Sequence, residues 1–160
     1  MDTAVSKQPG DIWVLPMTGD RVPRPLIHTK ANEWGGTFSP DGKWISYVSN
    51  ESGQDQIYLA PFDRSGGQRQ VSTSGSHTAA AWRNDGRELA YVARDGTVRV
   101  VKLTPASNGI DIAPEELLFK IDREAPIDVS PDLSRFLVAH AEPAPVAPLA
   151  LVTGWQAKRE

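Results

Sequence analysis

A ten-residue segment that occurs three times constrains this chain more than any other feature. Ser39-Pro40-Asp41-Gly42-Lys43-Trp44-Ile45-Ser46-Tyr47-Val48 recurs as Arg83-Asn84-Asp85-Gly86-Arg87-Glu88-Leu89-Ala90-Tyr91-Val92. A third copy, Ser130-Pro131-Asp132-Leu133-Ser134-Arg135-Phe136-Leu137-Val138-Ala139, keeps the aspartate and the apolar runs but has Leu133 in place of glycine. Asp85 stands 44 residues after Asp41, and Asp132 stands 47 after Asp85. Other segments repeat in step: Asp11-Ile12-Trp13-Val14-Leu15-Pro16 matches Gln56-Ile57-Tyr58-Leu59-Ala60-Pro61, and Arg24 to Thr29 has a weaker counterpart in Gln68 to Thr73. A period of about 40–45 residues with four strand-like runs is the mark of a β-propeller blade, whose sheet buries both faces against its neighbours.

The local chemistry agrees with strands. The 13 Gly and 13 Pro fall between short runs of Val, Ile, Leu, Tyr and Trp instead of gathering in one linker. In Ser39-Pro40-Asp41-Gly42 the proline presets φ, the aspartate bonds nearby backbone, and the glycine accepts the positive φ that closes a tight hairpin. Trp44 and Val48 fall on one face of the following strand and Ile45 and Tyr47 on the other, so neither face reads as solvent-facing. Pro114 to Ile121 suits a short helix or a strand equally well. The fold class is therefore all-β, with four-stranded antiparallel blades.

Composition removes several functions. Lys and Arg total 17 against 20 Asp and Glu, without the basic clusters of a nucleic-acid binder, so nucleic acid is not expected as a partner. No apolar run approaches the ~20 residues that span a bilayer. Met1 to Ile12 carries Asp2, Lys7, Gln8 and Asp11 where a signal peptide would be apolar, so none is expected in this chain. The sequence has no cysteine, hence no thiolate metal site and no cysteine nucleophile. His28, His77 and His140 are each isolated from metal-ligand spacings. Neither a G-x-S-x-G elbow nor a phosphate-wrapping glycine loop occurs. We expect no catalytic residue, no metal and no cofactor. The repeated aspartates are explained by their turns.

S-P-D-G-K-W-I-S-Y-V-S-N-E-S-G followed by Q-I-Y-L-A-P-F resembles the TolB-type β-propeller repeat, related in shape to WD-repeat blades. D-I-W-V-L-P, Q-V-S-T-S-G, W-R-N-D-G-R-E-L-A-Y, D-V-S-P-D and the closing G-W-Q-A-K extend the likeness. The order is similar to the C-terminal half of sensor propellers attached to bacterial eukaryotic-like serine/threonine kinases. The kinase motifs themselves are missing. The resemblance implies an interaction platform in a periplasmic or other extracytoplasmic space.

Counted this way, residues 1–160 form one partial propeller of about three blades: outer strands at 11–29, a blade at 34–72, a second at 78–120, and an incomplete blade at 125–153 with a further strand at 149–153. Closed propellers have typically four to eight blades. The chain is then either a fragment of a longer propeller or half of a six-bladed ring completed by a second copy. The expected function is non-catalytic binding of a protein or peptide. The alternatives are a sensory fragment regulating a serine/threonine kinase, or a propeller hydrolase lacking its catalytic domain. Candidate contact residues are Trp34, which precedes Gly35-Gly36 on an innermost strand, the loop Asn50-Glu51-Ser52-Gly53, and the loop Ser74-Gly75-Ser76-His77. An enzymatic site would draw on Glu33, His77 and Asp128.

Overall fold

The structure is a computed structural model, and it describes residues 9–107, 109–121 and 127–138. The described residues form thirteen strands: β1 (Ile12–Val14), β2 (Arg24–Ile27), β3 (Glu33–Phe38), β4 (Trp44–Ser49), β5 (Gln56–Pro61), β6 (Arg69–Gln70), β7 (Ala81–Trp82), β8 (Glu88–Val92), β9 (Thr97–Ala106), β10 (Gly109–Ile112), β11 (Glu116–Lys120), β12 (Ile127–Val129) and β13 (Phe136–Val138). They make four antiparallel sheets. The first central blade is β3-β4-β5-β6, and the second is β7-β8-β9 with both β10 and β11 on the outer edge of β9. Two-stranded sheets, β1-β2 and β12-β13, flank them.

The fourth strand of the second blade is split, a detail the repeat does not announce. Strand β9 runs for ten residues. Its first part, Thr97 to Val100, pairs with β11, and its last part, Leu103 to Ala106, pairs with β10. The ambiguous segment after Pro114 is thus a strand, because its backbone finds an open edge on β9 and Phe119 finds Phe136 at a ring distance of 5.2 Å.

The sheets stack through their side chains. Val48, Ile57, Leu59 and Val71 of the first blade meet Leu89, Tyr91, Val101 and Leu103 of the second, with Trp34, Trp44 and Trp82 packed at the margin. On its other face the first blade presents Ile45, Tyr47, Tyr58 and Ala60 to Ile12, Leu26 and Ile27 of β1-β2. This is the alternation expected of Trp44 to Val48, now with a neighbour on each side. The first strands of the two blades pass so close that a Cβ on Gly35, whose φ is +64°, would lie 2.8 Å from the Cβ of Ala79. Thr37 Oγ1 donates to Ala80 O at 3.2 Å, and the Trp82 indole N–H donates to Thr37 O at 3.4 Å.

The three repeated turns share one backbone hydrogen-bond pattern, and the two that open on serine add a side-chain one. The Ser39 hydroxyl donates to Asp41 Oδ1 at 2.6 Å and accepts Trp44 N–H at 2.9 Å. The Ser130 hydroxyl does the same with Asp132 at 2.6 Å and Arg135 N–H at 3.0 Å. Gly42, Gly86 and Leu133 each donate N–H to the residue three positions earlier, with φ of 69°, 72° and 57°. Leu133 therefore occupies a left-handed conformation that disfavours any side chain with a Cβ.

A polar clamp joins the two central blades. Glu115 accepts from Ser74 Oγ at 2.6 Å and also from Thr73 Oγ1 and the Tyr91 phenol, while Arg99 Nη1 lies 3.9 Å away. Burial works against this carboxylate. The hydrogen bonds and the Arg99 charge outweigh it, holding its pKa below the ordinary value. Burial and the bond to Glu115 push the Tyr91 phenol up.

Two outcomes are expected in urea denaturation. Leu133→Gly gains and Gly42→Ala loses about 1 kcal/mol each, since no neighbouring atom lies near a Cβ built on Gly42 and only the backbone conformation is at stake. Glu115→Ala loses about 1–3 kcal/mol at neutral pH, because the clamp's donors are left unpaired. With a folded-state pKa below that of the unfolded chain, Glu115 stabilises at neutral pH, and its contribution is lost as pH falls below about 4.3 and through the lowered value. Glu115→Gln is accordingly expected to show a shallower loss of stability over that acidic range.

Candidate functional site

The strand directions set up two kinds of surface. Glu33 pairs with Ser49 and Ser49 with Gln56, so the start of β3, the end of β4 and the start of β5 lie at one end of the first blade. The repeated Ser39 turn lies at the other. At the first of these ends the segment before β3 meets the turn after β4. Asn50 Oδ1 accepts Asn32 N–H at 2.9 Å, and Asn32 Oδ1 accepts Gly10 N–H at 2.8 Å, so two asparagines hold the rim in place.

Thr29, Lys30, Ala31, Asn50 and Glu51 line an open hollow of about 430 Å³ at this end. Of the sequence-derived candidates, Asn50 and Glu51 are brought together here. Both are exposed. Glu51 accepts from the Gln68 side chain, whose Oε1 in turn accepts the Tyr47 phenol at 2.9 Å. Burial, followed by the Glu51 and Glu33 charges, pushes the Tyr47 phenol up, so it stays a neutral donor. Glu33 lies beside the hollow, 2% exposed. Its Oε1 accepts the Thr29 hydroxyl, and its Oε2 is buried without a hydrogen-bond partner in the protein. The hollow thus combines carboxylate and amide acceptors with one lysine, a set that can hold a peptide backbone or a basic side chain by hydrogen bonds.

The other candidates are placed elsewhere. Trp34 is half-buried and packs against the core between the two blades. His77 is exposed on the segment before β7, held by its backbone N–H to Val92 O at 2.8 Å. Its neighbours in that loop are engaged in structure: Ser74 by Glu115, Gly75 N–H by Gln56 Oε1 at 3.1 Å, and the Ser76 hydroxyl by Thr78 O at 2.6 Å. Asp128 sits on β12, where its Oδ1 accepts the N–H of Val129 at 2.8 Å, at the edge of a 110 Å³ cavity shared with Thr78, Ala79 and Phe136. Glu33, His77 and Asp128 therefore belong to three different elements with separate hydrogen-bond duties. No group of three or more His, Asp or Glu side chains is gathered as a metal-ligand set among the described residues. His140, the expected strand at 149–153 and the Gly154-Trp155 pair lie outside the described residues.

At the turn end, Trp44 and Trp82 floor a groove of about 420 Å³ walled by Asp41, Asn84, Asp85 and Arg87. The groove reflects the side-by-side stacking of the repeated turns, since Gly86 faces Pro40 and Asn84 N–H donates to Pro131 O at 2.7 Å. Sequence reading did not single out Glu115, Gln56, Ser72 or Gln68. Gln56 and Ser72 are fully buried and bonded to each other at 2.6 Å. The one available signal was their position beside strand residues expected to be buried, where a polar side chain needs a partner.

No protein-family model and no curated protein matches the chain. Solved structures do. A putative TolB from Agrobacterium tumefaciens is 25% identical over 69% of this chain and 42% of its own, with a TM-score of 0.49. TolB from Acinetobacter baumannii is 20% identical over 78% of this chain and 30% of its own, with a TM-score of 0.53. The tricorn protease is 17% identical over 76% of this chain and 11% of its own, at 0.44. The chain thus spans less than half the length of each. The likeness to the Acinetobacter protein bears on architecture and leaves the expected link to a kinase aside. No helix of the described residues is long and apolar enough to cross a membrane. The antiparallel blades, their stacking and this likeness agree: the fold is that of part of a TolB-type β-propeller.

Proposed function

We propose that the chain is a non-catalytic binding module that works through protein–protein contact. The observation that carries this reading is the pair of two-stranded sheets flanking the central blades. Trp13 and Leu15 are 56% and 52% exposed at one flank, and Leu137 is 70% exposed at the other. Strand edges and apolar side chains left in water favour association. The partner this arrangement suits is a second copy of the chain, completing a six-bladed ring from two chains with two full blades and two half-blades each. The hollow at Asn50 and Glu51, built from the β2–β3 connection and the turn after β4, supports peptide binding as a second contact of the same module. An extracytoplasmic location remains part of this proposal and rests on the sequence resemblance.

Light scattering coupled to size-exclusion chromatography, over a dilution series, tests it. A species near twice 17.4 kDa that persists to micromolar concentration is the expected result. A single 17.4 kDa species throughout would overturn self-association as the purpose of the two flanks.

A further inference from the structure

The two flanking sheets are different halves of one blade. Strands β12 and β13 enclose the Ser130 turn, whose bonds reproduce those of the Ser39 turn, so they stand for the first and second strands of a blade. Strands β1 and β2 carry the segment that repeats Gln56 to Pro61, so they stand for the third and fourth. Among the described strands, what one flank lacks the other supplies. Among the described residues β13 pairs with β12 alone and β1 with β2 alone, which leaves one edge of each without a partner strand.

The first central blade shows how a second strand meets a third. Ile45 faces Ala60, Ser46 faces Leu59 and Tyr47 faces Tyr58. Counting from the turn serine, Phe136, Leu137 and Val138 stand where Ile45, Ser46 and Tyr47 stand. Counting along the other repeat, Trp13, Val14 and Leu15 stand where Tyr58, Leu59 and Ala60 stand.

Face parity then accounts for the exposed side chains. Ile45, Tyr47, Tyr58 and Ala60 share the face turned toward the preceding sheet. Their counterparts Val138, Trp13 and Leu15 are exposed, whereas Phe136 already meets Phe119 of the preceding blade. Leu137, the counterpart of Ser46, points to the opposite face and is the most exposed of these strand residues. Joining the halves would turn Trp13 and Leu15 onto the outer strands of one second blade, and Leu137 onto the first blade of the other chain.

We propose that β13 of one chain hydrogen-bonds in antiparallel register to β1 of a second copy. Phe136 lies opposite Leu15, Leu137 opposite Val14 and Val138 opposite Trp13. Two such seams, related by a twofold axis, close the ring. This specifies the contact within the dimeric reading above and rests on it.

The absence of cysteine from the sequence makes the seam directly addressable. Val14→Cys and Leu137→Cys chains, prepared separately, mixed and oxidised, are expected to give a covalent heterodimer, since facing residues of paired strands meet the distance a disulfide needs. Trp13→Cys with Val138→Cys provides a second in-register pair in case either first variant folds poorly. Leu15→Cys with Leu137→Cys is one residue out of register, places the thiols on opposite faces, and is expected to cross-link at least tenfold less. If the unmodified chain is dimeric but neither in-register pair cross-links, or the out-of-register pair does so equally, the seam is wrong while the dimer stands. A monomeric unmodified chain overturns both. Cross-linking of a Val14→Cys, Leu137→Cys double variant within a single chain overturns the second copy as occupant.

Discussion

Each central sheet is apolar on both faces, and that single constraint organises the molecule. A sheet with Val48, Ile57 and Leu59 on one side and Ile45, Tyr47 and Tyr58 on the other cannot leave either side in water without forfeiting the burial that drives folding. It must have a neighbour on each face. The neighbour has the same problem, and stacking repeats until a ring closes or a different surface intervenes. In the described residues the series runs from β1-β2 through two full blades to β12-β13.

The polar parts follow from that stacking. Where two blades meet, tyrosines at equivalent positions, Tyr47 and Tyr91, carry a hydroxyl into the interface, and each finds a different acceptor: Gln68 in one blade, Glu115 in the other. The register places Tyr58 opposite Tyr47 but Arg99 opposite Tyr91. An arginine beside a carboxylate suits the second solution, and stacked rings 5.9 Å apart suit the first. The repeat conserves the requirement and leaves the chemistry free to vary. Glu33 is the exception, a carboxylate 2% exposed with one oxygen unpartnered in the protein. Such a group costs stability, and it lies next to a hollow that gathers two of the sequence-derived contact residues.

Much of the architecture was legible in the residues because turn chemistry is local. The Ser-Pro-Asp-Gly pattern dictates its own hairpin through bonds spanning two to five residues, and the alternation after it names the two faces. The split fourth strand of the second blade was not legible. Whether the segment after Pro114 becomes helix or strand depends on an unpaired edge of β9 more than ten residues away, which no local periodicity reports.

For the candidate site the division is sharper. Asn50 and Glu51 were visible as a polar turn after a strand, but their meeting with Thr29 and Lys30 needed the pairing of β3 with β4. Ser74 and Gly75 looked equally available in sequence, yet the packing of one blade on the next commits them to Glu115 and Gln56. By itself the sequence determined the repeat, the turns, the strand faces and hence the kind of fold, all properties of residues close together in the chain. Only the tertiary structure decided which polar groups are engaged inside the stack and which remain available, because a hydrogen-bond partner tens of residues away is chosen by how sheets pack.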